Sequence, residues 1–105
     1  MTIKVNAQIE LVSMKDIIIA EIWDVDVLID DKISSQTVSK SGPIEFILNS
    51  SKTGEIKPDL QLRLFSSSGE ELYRSPIDDS INILSRDENT GFIEHTTIDF
   101  GKINL

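Results

Sequence analysis

The 105-residue sequence contains no cysteine, one histidine (His95), one tryptophan (Trp23) and one tyrosine (Tyr73). Without cysteine there is no disulfide, no thiolate nucleophile, no Cys-ligated zinc and no iron–sulfur cluster. With one histidine a three-His zinc centre is impossible, and any Ser-His-Asp triad has to use His95. Long apolar runs are missing as well. The longest, residues 17–20, falls far short of the roughly 20 residues of a membrane-spanning helix, so no membrane insertion is expected. No signal peptide follows Met1, which predicts a soluble cytoplasmic protein or one exported without a conventional signal. Positive charge is scarce: 10 Lys and Arg against 18 Asp and Glu leave a formal charge of −8. That balance repels phosphate backbones and anionic surfaces, and excludes nucleic acid as a partner. A chain of this length supports one modest core, so residues 1–105 are expected to form a single domain.

What the sequence has in abundance is isoleucine, whereas alanine occurs only at positions 7 and 20. Isoleucine is stiff at χ1 and packs well on a pleated surface, so the composition favours sheet over helix. Ile3, Val5, Ala7, Ile9 and Leu11 alternate strictly with Lys4, Asn6, Gln8 and Glu10, the pattern of a half-buried strand. Residues 16–24 are apolar on both faces at their start and suit a central strand. Turn residues then recur at 39–43, 50–55, 66–70, 75–80 and 86–91. Between them the spacing predicts strands at 33–39, 44–49, 60–65, 71–75, 81–84 and 92–98, with a last short piece at 102–105 and a four-residue hairpin loop at 66–69. Short strands at such intervals indicate an all-β fold, an antiparallel β-sandwich of seven or eight strands.

The best candidate site is the acidic stretch Asp24, Asp26, Asp30 and Asp31, whose carboxylates are the oxygen ligands a hard cation such as calcium prefers. It is not an EF-hand, since that loop needs Gly at position 29 and Glu at position 35, where this chain has Ile29 and Ser35. A solvated loop that keeps strand edges apart is the competing explanation. Asp78, Asp79, Asp87 and Glu88 read as turn residues, because Asp hydrogen-bonds its own backbone there. Trp23 is expected in the core, with Glu21 on the same face and engaged in local pairing. His95 shares a face with Ile93, Thr97 and Asp99, which alternate against Phe92, Glu94, Thr96, Ile98 and Phe100, and reads as a surface residue, and Tyr73 as one that packs its ring and keeps its hydroxyl wet.

Three segments, AEIWDVDVLIDDKISSQTVSKSGPIEFIL, KPDLQLRLFSSSGEELYRSPI and HTTIDFGKINL, resemble in order the strands and turns of transthyretin-like (prealbumin-like) β-sandwich domains. The matching positions are Asp24, Asp26, Asp30, Asp31, Ile33, Thr37, Gly42 and Phe46, then Pro58, Asp59, Leu60, Gly69 and Leu72, then Asp99, Gly101, Ile103 and Leu105. The acidic stretch also resembles a calcium loop of C2 domains, though Ser34 follows Ile33 where those domains place Gly, and no Asp pair precedes Asp24. Within the transthyretin-like group, the hydroxyisourate hydrolases need several histidines and a Tyr-Arg-Gly-Ser tail, whereas this chain ends Ile103-Asn104-Leu105. The resemblance therefore implies a non-enzymatic module without a cofactor. Such a module binds a protein partner or self-associates through a sheet edge and acidic loops. The alternative it leaves is a calcium-responsive C2-like module using Asp24, Asp26, Asp30 and Asp31.

Overall fold

The computed structural model describes residues 2–13, 16–49, 58–81 and 95–105, the side chains of His95 and Thr96 excepted. Among these residues seven strands follow one another: β1 (Thr2–Glu10), β2 (Ile18–Asp24), β3 (Asp31–Val38), β4 (Gly42–Asn49), β5 (Leu60–Ser66), β6 (Glu71–Arg74) and β7 (His95–Asn104). They form a three-stranded sheet, β4-β1-β7, and a four-stranded sheet, β3-β2-β5-β6, which together make an all-β sandwich. The predicted strand pieces at 82–84 and 92–94, the turns at 50–55 and 86–91, and the acidic residues Asp87 and Glu88 lie outside the described residues.

The strict alternation of β1 gives the core its spine. Ile3, Val5, Ala7 and Ile9 are buried, and their polar neighbours line the other face. Across the sandwich Ile18, Ala20 and Ile22 of β2 and Leu60, Leu62 and Leu64 of β5 meet them at 0% exposure, with Phe46 and Leu48 of β4 completing the packing. Burying this apolar surface is what holds a chain that has no covalent cross-link.

The structure departs from the expected pattern in two places. One strand pair is not antiparallel: β7 runs parallel to β1, from Thr2↔His95 to Glu10↔Asn104. The described parts of the two pieces expected at 92–98 and 102–105, residues 95–98 and 102–104, also belong to one strand, β7. Its core residues Ile98 and Ile103 stand five apart, an odd spacing that simple alternation forbids. A bulge reconciles them, because the register jumps from Asn6↔Asp99 to Gln8↔Lys102. Gly101 takes φ of 80° there, and its N–H donates to Asp99 Oδ1 at 2.8 Å. Only glycine adopts that conformation without strain.

The β5–β6 hairpin is present with its four-residue loop one position later than expected, at 67–70, with Ser66 N–H donating to Glu70 O at 2.8 Å and Gly69 at φ 94°. Successive strands run between the two ends of the sandwich, so residues 11–13, 16–17 and 66–70 sit at one end. Residues 25–30, 58–59 and 76–80 sit at the other, where β2 ends opposite Leu60 and Leu60 bridges to Asp78.

Candidate functional site

Strand β5 is buried on both faces. Leu60, Leu62 and Leu64 point into the core, and Gln61 and Arg63, which alternate to the outside of the sheet, are each only 6% exposed. A buried guanidinium is tolerated only where its hydrogen bonds are met, and here they are. Arg63 Nε donates to Gln61 Oε1 at 2.9 Å, and Gln61 Nε2 donates to the Ser75 carbonyl at 2.8 Å. Arg63 Nη2 donates to Asp30 Oδ2 at 2.7 Å, and the guanidinium lies 4.5 Å from the centroid of the Trp23 ring. Trp23 is paired with Gln61 across the sheet, so Arg63 reaches the ring along the diagonal.

Trp23 is therefore not a core residue. Alternation along β2 sends Ile18, Ala20, Ile22 and Asp24 inward and leaves Trp23 half-buried on the outer face with Glu21. The shared face was legible in the sequence, but its direction was not. Indole Nε1–H donates to Glu21 Oε1 at 3.0 Å, and Lys32 Nζ approaches Glu21 Oε2 at 3.5 Å. The expected local pairing of Glu21 is thus present, on the opposite side of the sheet from the one assigned to the tryptophan.

The four aspartates of the acidic stretch have separate duties. Asp24 is 3% exposed at the end of β2, and its Oδ1 accepts the Asp59 N–H at 3.2 Å. Asp26 Oδ1 accepts the Val27 N–H at 2.6 Å. Asp30 accepts the Asp26 N–H through Oδ1 at 3.2 Å and Arg63 through Oδ2, which ties both ends of the loop together and to the sheet. Asp31 is exposed and opens β3 opposite Asp24. Among the described residues no group of three His, Asp or Glu side chains is gathered so as to hold a metal ion.

Between these anchors stand Val27, Leu28 and Ile29, 97%, 90% and 70% exposed. Three consecutive apolar side chains in water at the tip of a loop with both ends fixed have no packing role. Sequence reasoning read the aspartates of this stretch and passed over the residues they bracket. The signal was present: D-V-L-I-D at 26–30 is an apolar triplet set between turn-forming acids.

Arg63 was likewise missed, although an arginine in the middle of an apolar strand calls for a partner. Its N–H beside Asp30 is the chief reason the Asp30 carboxyl is held below the ordinary carboxylate range. The Asp26 N–H and the charges of Arg63 and Arg74 act in the same direction, and partial burial opposes them. A carboxyl lowered in the folded state contributes stability that is complete above its unfolded pKa of about 4 and is lost as pH falls through the lower folded value. The stability difference between the parent protein and Asp30→Asn is accordingly expected to be flat from pH 8 to pH 5 and to shrink only below about pH 4. Urea titrations across that range check this, and a difference that already declines between pH 7 and pH 5 contradicts the clamp.

No protein-family model matches the chain, and no curated protein matches it. Among solved structures it is similar to the crystal structure of a 9R-lipoxygenase from Cyanothece PCC8801, with a TM-score of 0.55 and 23% sequence identity over 97% of this chain. The likeness is one of fold. This chain spans only 16% of the length of that lipoxygenase.

Proposed function

We propose that this domain is a non-catalytic protein-interaction module of transthyretin-like type, whose contact element is the loop carrying Val27, Leu28 and Ile29. The observation that carries the reading is the exposure of these three side chains on a loop held at both ends by Asp30, Arg63 and Asp24. Fixing a loop before it meets its partner removes part of the ordering cost of binding. Each of the three side chains gains about 2 kcal/mol when an interface takes it out of water. The transthyretin-like motifs support the assignment, since they fall on β2 through β6 and on β7, and the loop lies within the first of them. The single His and Tyr and the absence of Cys leave little material for catalysis.

The test is retention of a discrete partner from the protein's native source by the immobilised domain. The variant Val27→Ser/Leu28→Ser/Ile29→Ser is expected to lose at least nine-tenths of that retention. Val12→Ser, which removes an apolar side chain 76% exposed at the opposite end of the sandwich, is expected to keep it. Equal retention by all three proteins sinks the reading.

A further inference from the structure

We infer that the occupant of the Val27, Leu28 and Ile29 tip is a cationic amphipathic segment of another protein, a stretch that presents apolar side chains flanked by Lys or Arg; this rests on the interaction reading above. The tip supplies the apolar half of the complementarity. Its surroundings supply the other half. Asp26, Asp31 and Asp79 are exposed at this end of the sandwich, and Asp59 and Asp78 are half-buried there.

Among the described residues, the cations nearest these carboxylates are already engaged. Arg63 holds Asp30 at 2.7 Å, Lys32 lies against Glu21 at 3.5 Å, and Arg74 pairs with Glu71 at 2.8 Å. Among the described residues the collar around the apolar tip is thus negative, with its nearby positive groups turned to partners within the domain. An apolar surface carrying positive charge at its margin satisfies both parts at once.

The same charges weigh against other occupants. A second copy of the chain brings an identical acidic end and a formal charge of −8 to the contact. An anionic bilayer is repelled. A zwitterionic one covers the tip but dehydrates the collar carboxylates without giving them a partner.

The probe is an 18-residue peptide of Leu and Lys at helical spacing, titrated into the intact domain in 150 mM salt and followed by calorimetry. Saturable binding is expected, with Kd at least tenfold weaker for Val27→Ser/Leu28→Ser/Ile29→Ser. A peptide in which Ser replaces every Leu is expected to bind at least tenfold more weakly. Asp26→Asn/Asp31→Asn is expected to weaken binding at least threefold and to flatten its dependence on salt. Peptide affinity unchanged in the triple-Ser variant shows charge attraction alone and overturns the inference, as does no binding at all. Sedimentation of the free domain and flotation with phosphatidylcholine vesicles separate the two levels of the argument. Self-association or flotation that needs the tip, without peptide binding that needs it, overturns the cationic partner and leaves the interaction reading standing. Retention from the native source that is unchanged by the tip variant overturns both.

Discussion

Replacing Leu62 with alanine is expected to lower stability by about 3–4 kcal/mol, within the range for emptying a fully buried leucine site. Leu62 is 0% exposed at the centre of β5, opposite Ile22 across the β2 pairing and within the core cluster formed by the buried residues of both sheets. Strands pinned by ladders on both sides collapse little around a void, which places the cost in the upper part of that range. Guanidinium unfolding should show a lower midpoint with an unchanged slope. Trp23→Ala serves as the internal comparison. A half-buried ring on the outer face loses contact with Arg63 and a bond to Glu21 but leaves no cavity in the core, so about 1–2 kcal/mol is expected. If Trp23→Ala proves the more damaging of the two, the assignment of β2's faces is wrong.

Arg63→Met is expected to cost about 2–4 kcal/mol, and through it on the order of 10–20 °C in Tm. Methionine keeps much of the apolar stem, so the loss comes from the head group. Gln61 Oε1, on a residue only 6% exposed, loses its donor; Asp30 loses its counter-charge; and the Trp23 ring loses its cover. The first of these is the largest, because an unsatisfied buried acceptor retains its full desolvation penalty. The Asp30 pair is partly open to solvent and contributes less. Arg63→Lys should recover only part of the loss, since an ammonium lacks the fork that reaches Gln61 and Asp30 together. Trp23, the single tryptophan, reports the change directly, with emission moving to longer wavelength as the guanidinium leaves its face. A Met variant as stable as the parent shows that the network is incidental to the fold.

How far the sequence could be read depended on whether the determining contacts were local. The alternation of β1, the hairpin at 66–70 and the break between β3 and β4 are written in neighbouring residues, and they appear where expected. The bulge in β7 was hidden because Asp99, Gly101 and the odd spacing of Ile98 and Ile103 resolve into one strand only against β1. Its parallel direction depends on the route of the chain between β6 and β7, which the pattern of turns does not encode. Trp23 was misplaced for a related reason. Ile18, Ala20 and Ile22 form one face and Ile19, Glu21 and Trp23 the other, and size alone favoured the second as the inner face. The facing sheet decided otherwise, and Arg63, 40 residues along the chain, made the outer position tolerable. The acidic loop was found by its aspartates, while the exposure of the apolar triplet between Asp26 and Asp30 emerged only from the structure.

The exposure of that triplet is the claim on which the functional reading stands, and the thermal stability of Val27→Ser/Leu28→Ser/Ile29→Ser tests it most directly. Side chains with no packing partners change stability little when made polar, within about 0.5 kcal/mol, which for a domain of this size is a shift of roughly 2–4 °C. The expected result is a Tm inside that margin of the parent, with the unfolding slope unchanged. A fall of more than about 10 °C shows that Val27, Leu28 and Ile29 are part of what holds the sandwich together, and contradicts their assignment as a contact surface.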